Sequence, residues 1–238
     1  STLDLANADF LTGNLRFTGD SDAAVVNLGS ISAESFAALI GGEVTNLGSL
    51  SAPGGDAALL AADATLDLGV AGDGKVTLDL SGLLDGVTSN PGSIDVASAE
   101  GQGGSVTLLG DQVTVDGIID ASGGGQVDIQ AGRLGITGNL SANKGSISID
   151  TTDKAIFMPT AGLTARGGSI QVNAPDADGT LTGSTIAYDG ASFLARGEEN
   201  SGFVELSGVH LHVDSATIDA GDVLFDPLNI TFTSSSDS

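Results

Sequence analysis

The sequence predicts an all-β protein: a single-stranded, right-handed parallel β-helix (a solenoid) from which one extrahelical β-hairpin protrudes. A similar phrase returns along the chain at intervals of roughly 20 to 30 residues, which is typical of repeat architectures. Within each interval, apolar and polar residues alternate as in half-buried strands. Glycine accounts for 36 of the 238 residues without a collagen triplet, which indicates many turns.

The repeat is best preserved near the start of the chain. The segment Asn27-Leu-Gly-Ser-Ile-Ser-Ala33 is followed by Asn46-Leu-Gly-Ser-Leu-Ser-Ala52. We interpret the two segments as neighbouring rungs with their Asn-Leu-Gly turns at one corner, so Ile31 should lie directly over Leu50 inside. Looser copies give roughly eight rungs. The copies are aligned on Gly29, Gly48, Gly92, Gly117, Gly138, Gly162 and Gly190.

Short alternating segments between the turns predict the remaining strands. Residues 103–117 contain two of them, Ser105–Leu109 and Gln112–Asp116, split by Gly-Asp. Alternation at every second residue excludes helical solenoids, whose apolar period is 3.6 residues. Three short strands then make one rung, and rungs stack at about 4.8 Å. The predicted inward residues are Ile31, Val106, Leu108, Val113, Val115, Val127, Ile129, Ile147, Ile149, Ile170 and Val172.

One interval is about twice the usual length. Residues 64–86 carry two alternating stretches around Ala71-Gly-Asp-Gly-Lys75, which is typical of a hairpin and its turn. We therefore expect residues 1–232 to form one parallel β-helix domain with a hairpin insertion at about 64–86. Residues 233–238 are expected to be a flexible polar tail.

Charge and composition exclude several functions. The chain has 31 acidic and 7 basic residues and a net charge of −24, so nucleic acid is not expected as a partner. It has no cysteine, which excludes disulfides and thiolate metal sites. No apolar run approaches the ~20 residues of a membrane helix. Because it lacks an initiator Met and a signal peptide, we expect a processed or excised piece of something longer.

Three phrases together resemble a known family. They are TLDLANADFLTGNLRFTG followed by VVNLGSISA and VTNLGSLSAPGGDAALLAA, then GGSVTLLGDQVTVDGIIDASGGGQVDIQAG, then SGFVELSGVHLHVDSATIDAGDVLFDPLNITF. In this order they resemble the two-partner-secretion exoproteins of the filamentous haemagglutinin-like adhesin group. The match corresponds to the latter part of the secretion domain plus the start of the β-helical shaft. The Asn-Pro-Asn-Gly-type motif of that family's N-terminal cap is not found here.

The resemblance implies a function, a location and partners. It implies a non-catalytic adhesin segment or rigid display shaft, secreted to the cell surface of a Gram-negative-type bacterium. The implied partners are an outer-membrane two-partner-secretion transporter and a glycan or protein on a host or neighbouring cell. An alternative is a structural filament subunit whose copies associate end to end through unpaired terminal rungs.

Candidate metal ligands occur at one place. In the sequence VHLHVD, alternation places His210, His212 and Asp214 on one outward face, and such side chains could bind a transition metal. No fourth ligand is evident, so these residues are weak metal candidates. We expect no cofactor and no catalytic residue.

A polysaccharide-acting enzyme is the third hypothesis. A glycoside hydrolase needs only two carboxylates at a suitable separation, and the chain has 31 acidic residues. A lyase would need an Arg-rich or cation-bound cleft, and the chain has only Arg16, Arg133, Arg166 and Arg196. Arg166 and Arg196 each follow an Ala in equivalent rungs, so we expect them to stack along one edge as solvated residues. The favoured prediction is that the chain is not an enzyme.

Overall fold

The computed structural model describes residues 4–7, 11, 15–18, 22–61, 65–70, 76–81, 86–98, 102–175, 183–198 and 201–229. These residues form 24 strands. The first twelve are β1 (Asp4–Leu5), β2 (Leu15–Thr18), β3 (Ala24–Asn27), β4 (Ser30–Ser32), β5 (Phe36–Gly41), β6 (Glu43–Asn46), β7 (Ser49–Ser51), β8 (Asp56–Ala61), β9 (Thr65–Val70), β10 (Val76–Ser81), β11 (Val87–Asn90) and β12 (Ser93–Asp95). The others are β13 (Ser105–Val115), β14 (Ile118–Asp120), β15 (Gln126–Ile136), β16 (Asn139–Ser141), β17 (Ser146–Phe157), β18 (Gly162–Thr164), β19 (Ser169–Asn173), β20 (Ser184–Ala187), β21 (Ser192–Leu194), β22 (Phe203–Val213), β23 (Thr217–Asp219) and β24 (Asp222–Asn229).

Each rung of the solenoid has three faces. In the first described rung, β3 forms the first face, β4 the second and β5 the third. The second faces stack as an eight-stranded parallel sheet in the order β4-β7-β12-β14-β16-β18-β21-β23. The first and third faces belong to one 12-stranded sheet. They are joined because β13, β15, β17 and β22 start on the third face of one rung and continue on the first face of the next.

This topology confirms the predicted right-handed parallel β-helix, with about seven turns over the described residues. The predicted hairpin is also present, since β9 and β10 pair antiparallel from Thr65↔Ser81 to Val70↔Val76. Its predicted turn at residues 71–75 and the predicted tail at 233–238 lie outside the described residues. Within those residues, the structure contains no helix of the length and apolarity needed to cross a lipid bilayer.

The hairpin does not stand alone. The N-terminal strands β1 and β2 pair with it in a four-stranded antiparallel sheet of order β1-β2-β9-β10. An isolated two-stranded hairpin is at best marginally stable in water, and additional strands supply the missing hydrogen bonds. The sequence predicts the N-terminal strands within the helical stack, whereas β1 and β2 belong to this antiparallel sheet.

The core consists of columns of aligned side chains. The pairing Ile31↔Leu50 confirms that these two residues stack, and the column continues down the second face. Its members are Ile31, Leu50, Ile94, Ile119, Leu140, Leu163, Phe193 and Ile218. All the predicted inward residues are fully buried except Ile31, which is half-buried because, among the described strands, β4 pairs only with β7. Burial in a single continuous column gives every rung a share of the hydrophobic stabilisation.

Residue sizes compensate between neighbouring columns. Phe157 on the first face and Phe193 on the second pack edge to face, with ring centroids 5.0 Å apart and an interplanar angle of 70°. The residue stacked beyond Phe157 on the first face is Ala187, in the same rung as Phe193. A small residue next to a large one keeps the narrow interior filled without overlap.

Two details differ from the sequence prediction. The stretches Ser105–Leu109 and Gln112–Asp116 are not separate strands, because β13 runs continuously through Gly110 and Asp111. Alternation breaks at Leu108, Leu109 and Gly110, which are all buried, so the strand passes from one face to the next without ending.

The predicted alignment of the corner glycines is wrong at its last two members, Gly162 and Gly190. The corner between the first and second faces is two residues long up to Gly138, but four residues long at 158–161 and 188–191. These longer corners close with hydrogen bonds from Ala161 N to Met158 O and from Ala191 N to Tyr188 O. Ala161 and Ala191 therefore occupy the position of Gly138, and the predicted Gly162 and Gly190 are each one residue out of register.

Candidate functional surfaces

The first candidate surface carries the predicted metal ligands. His210, His212 and Asp214 are all exposed at the end of β22, while Val209 is buried and Leu211 packs against the core. In the parallel register, Ser184 lies beside His210 and Ile186 beside His212 on the neighbouring strand β20. Neither neighbour is a metal ligand. Among the described residues, no group of three or more His, Asp or Glu side chains is arranged to hold a metal ion.

An amide ladder, which the sequence analysis missed, lies at the first corner of the solenoid. Asn27, Asn46 and Asn90 are buried at the end of the first face in three successive rungs. Asn27 Nδ2 donates to Asn46 Oδ1 at 2.8 Å, and Asn46 Nδ2 donates to Asn90 Oδ1 at 2.8 Å. Stacking in a β-helix aligns equivalent residues of successive rungs. The recurrence of Asn immediately before Leu-Gly or Pro-Gly was therefore the sequence signal for this ladder.

The ladder ends at the third rung. The next residue in this column is Val115, and Asn90 Nδ2 is buried without a hydrogen-bond partner among the described residues. Further along, the column is Ile136, Phe157, Ala187 and Val213. The corner thus changes from a polar, hydrogen-bonded interior to an apolar one, and we assign it a structural role.

An acidic groove of about 720 Å³ lies where the third face meets the first face of the next rung. Its polar lining includes Asp150, Asn173, Glu205, Ser207 and Asp226. Asn173 Nδ2 donates to Asp150 Oδ1 at 3.1 Å, and Ser207 Oγ donates to Glu205 Oε1 at 2.9 Å. Four of these five side chains are therefore paired with one another within the groove.

One carboxyl near this groove has a perturbed ionisation. Burial raises the pKa of Asp128 above its ordinary value of 3.8, and the neighbouring charge of Asp150 raises this pKa further. Asp128 points outward on β15 between Thr107 and Ser148, in register. Since neither neighbour is charged, the carboxylate of Asp128 lacks an opposite charge from the strands beside it.

The most distinctive surface is basic. A groove of about 780 Å³ runs across the corner between the second and third faces of three successive rungs, and we call it the cationic groove. It is lined by Asn143, Lys144, Arg166, Gly167, Arg196, Gly197 and Glu198. Three of the seven basic residues of the chain are therefore together in one place. Arg166 and Arg196 stack along one edge, as their equivalent positions predicted.

Backbone hydrogen bonds fix the three rungs of the cationic groove relative to each other. Lys144 N donates to Arg166 O at 2.9 Å, and Gly167 N donates to Ala195 O at 2.8 Å. Asn143 Oδ1 also accepts a hydrogen bond from Arg166 N at 3.0 Å. The positions from which the cations project are therefore set by the solenoid itself.

The three cations differ in how they are held. Arg196 Nε donates to Asp219 Oδ1 at 2.6 Å, and Arg196 Nη2 donates to Ala220 O. Arg166 Nη1 donates to Arg196 O at 3.3 Å. Within the described part of the chain, neither Arg166 nor Lys144 has a carboxylate ion-pair partner. By contrast, Arg133 lies outside the groove and is paired with Asp153 at 2.6 Å, and this hydrogen bond raises the pKa of Arg133.

Comparison with solved structures identifies the same fold elsewhere. The chain is similar to the HMW1 secretion domain from Haemophilus influenzae, with a TM-score of 0.58 and 20% sequence identity over 94% of this chain and 73% of that one. No protein-family model matches the chain, and the search of curated proteins also gave no match. At this level of identity, the likeness establishes a shared fold over nearly the whole chain.

Proposed function

We propose that this chain is part of a secreted, non-catalytic exoprotein that a two-partner-secretion transporter exports across the outer membrane. The observation that carries the proposal is the fold shared with a solved secretion domain over 94% of the chain. The three sequence phrases that resemble the same group of exoproteins support it independently. The mature protein is then extracellular or attached to the cell surface.

The solenoid is well suited to export as an extended chain. Each rung pairs with the preceding one through short parallel strands, such as Ser49–Ser51 on Ser30–Ser32. Folding outside the cell can therefore proceed rung by rung, because each rung needs only its neighbour as a template. No disulfide has to form, since the chain lacks cysteine.

A secretion assay tests the export proposal. The chain is expressed behind a cleavable signal peptide in a Gram-negative host, with and without a two-partner-secretion transporter encoded beside it in its source genome. We expect the protein in the medium only when the transporter is present. Equal amounts in the medium with and without the transporter would contradict export by this route.

We further propose that the exported protein acts in adhesion or as a rigid display shaft. A stack of hydrogen-bonded rungs is stiff, and a stiff rod holds a binding surface away from the cell that carries it. Fluorescently labelled protein should bind to epithelial or neighbouring bacterial cells in a saturable way. Release of reducing sugar from neutral or acidic polysaccharides would instead support the polysaccharide-acting enzyme.

A self-assembling filament is the second candidate function, and one observation favours it. Among the described residues, the last strand β24 pairs only with β22, and it exposes Val223, Leu224 and Leu228. An unpaired apolar edge strand is a ready template for another chain. Electron microscopy of the purified protein separates the candidates, because uniform long fibres support the filament and single short rods support the adhesin segment.

A further inference from the structure

We propose that the cationic groove is a binding site for an acidic glycan, whose carboxylate or sulfate groups contact Lys144, Arg166 and Arg196. This proposal rests on the adhesive role proposed above and assigns that role a ligand class and a place on the molecule. The chain carries 31 acidic and only 7 basic residues, and three of the seven lie together in this groove.

The cations of the groove are regularly spaced. Lys144, Arg166 and Arg196 lie on three successive rungs at one corner, so they are spaced along the solenoid axis at about 4.8 Å per rung. Like charges this close repel one another, and an anion between them removes the repulsion. A polymer that carries acidic groups at regular intervals can place one acidic group against each of these cations.

The cations of the groove differ in how many of their N–H donors are available to a ligand. Arg166 uses one hydrogen bond, to Arg196 O, and its guanidinium carries five N–H groups. Lys144 has no ion-pair partner among the described residues, as noted above, and it is exposed. Arg196 is anchored by Asp219 and Ala220, so its position is fixed before a ligand arrives. One fixed and two available cations form a partly pre-organised anion site.

Besides the cations and two glycines, the groove is lined by two polar side chains. Asn143 and Glu198 can exchange hydrogen bonds with sugar hydroxyl groups, since an amide and a carboxylate together supply donors and acceptors. Among the described residues, the lining contains no aromatic side chain on which a base could stack. This feature favours an acidic glycan over single-stranded nucleic acid.

The net negative charge does not prevent such binding. At physiological ionic strength, the Debye length is about 8 Å, so carboxylates far from the groove are screened while contacts inside it persist. Raising the salt concentration well above this level should weaken the contacts themselves. The affinity for the glycan is therefore expected to fall as NaCl is increased above 0.15 M.

Binding is measured on the purified full chain by isothermal titration calorimetry with three oligosaccharides of equal length. These are a sulfated heparin fragment, a carboxylated polygalacturonate fragment and neutral maltohexaose. We expect at least one acidic oligosaccharide to bind and maltohexaose not to bind. The comparison of the two acidic probes distinguishes sulfate from carboxylate as the recognised group.

Variants locate the site. Arg166→Gln and Lys144→Gln should each weaken binding of the acidic oligosaccharide by about tenfold, because each removes a charge-assisted contact. The matched control is Arg133→Gln, which removes the same charge from an exposed arginine outside the groove and should change the affinity less than twofold. Circular dichroism establishes whether each variant is folded. If Arg166→Gln does not fold, Lys144→Gln still tests the site.

Several results would overturn the proposal. They are the absence of binding to both acidic probes, equal binding of maltohexaose, and equal losses for Arg133→Gln and Arg166→Gln. Binding to whole cells separates failure of the groove assignment from failure of the adhesive role. If the protein binds cells but neither acidic probe, the groove is wrongly assigned and adhesion stands; if it binds neither, both proposals fail.

Discussion

At the scale of single residues, the Asn ladder shows how stacking lets the same side chain form hydrogen bonds in successive rungs. Asn46 makes hydrogen bonds to the ladder residues on both sides and to the backbone of Ser93 at 3.1 Å. Asn27 Oδ1 additionally accepts a hydrogen bond from Gly29 N, so it also holds its own turn. Burying an amide is costly unless its donors and acceptors are satisfied, and stacking supplies these partners for Asn46.

Removing the middle of this ladder should therefore be costly. Asn46→Ala deletes three hydrogen bonds and leaves Asn90 Oδ1 buried without its donor. We expect the free energy of unfolding to fall by about 3 kcal/mol. The control Asn139→Ala, at an exposed position of the second face, should change it by less than about 0.5 kcal/mol. Equal midpoints for the two variants in urea titrations would show that the ladder does not stabilise the fold.

Asp128 provides a pH-dependent test. Because its pKa is raised in the folded state, the native protein holds the proton more tightly than the unfolded chain does. Stability then falls as pH rises from the unfolded pKa through the folded pKa, and at neutral pH the folded state carries the cost of a buried carboxylate. Asp128→Asn should therefore be more stable than the parent protein at pH 7.

This advantage should disappear below the ordinary pKa of 3.8, where both states of the parent are protonated. Thermal unfolding at pH 7 and pH 3 measures both limits. Asp189→Asn removes the same charge at an exposed turn and serves as the control for net charge. A gain for Asp128→Asn that persists unchanged at pH 3, or that Asp189→Asn equals, contradicts burial as its cause.

At the scale of elements, the corners decide how the rungs stack. The glycines at the first corner lie one over another, and a Cβ added to Gly117 would lie 1.9 Å from the carbonyl oxygen of Gly92. Gly48 is in the same position over Gly29. These glycines are thus required for the close approach of neighbouring backbones and not for an unusual φ.

Gly117→Ala should therefore lower the free energy of unfolding by about 2–3 kcal/mol, because the backbone of one rung must move away from the next. Gly135→Ala is the matched control, since nothing lies within 4 Å of a Cβ added there. It should be neutral within about 0.5 kcal/mol. Chemical denaturation of both variants checks the difference, and a loss of the same size for Gly135→Ala would show that close stacking is not responsible.

At the scale of the whole molecule, electrostatic self-repulsion opposes the fold. The chain carries 31 acidic and 7 basic residues, and only two ion pairs, Arg133–Asp153 and Arg196–Asp219, are seen among the described residues. Both pairs are solvent-exposed, and exposed pairs contribute little to stability. Screening of the excess negative charge should therefore outweigh the weakening of these pairs.

Raising NaCl from 10 to 150 mM shortens the Debye length from about 30 to about 8 Å. We expect a gain in stability of about 1 kcal/mol, which corresponds to an increase in Tm of roughly 2–4 °C. Scanning calorimetry in NaCl and KCl should give the same increase. A decrease in Tm would show that the ion pairs dominate, and a larger increase with CaCl₂ at equal ionic strength would indicate specific binding of calcium.

Local sequence patterns are sufficient to predict the solenoid. The period, the alternation and the Asn-Leu-Gly turns are local, and a parallel stack repeats a local pattern in every rung, so the pairing of Ile31 with Leu50 follows from the sequence. The hairpin at β9 and β10 was predictable for the same reason, since antiparallel neighbours are joined by a short turn.

The meeting of residues from distant parts of the chain depends on the three-dimensional fold. Lys144, Arg166 and Arg196 are 22 to 52 positions apart, and they line one groove because the corners that carry them stack on each other. The pairing of β1 and β2 with the hairpin, and the shift from Gly138 to Ala161 at the corner, likewise depend on the contacts between rungs. Loop lengths set this register, and the energy that selects it comes from hydrogen bonds and packing between rungs, which no single segment contains.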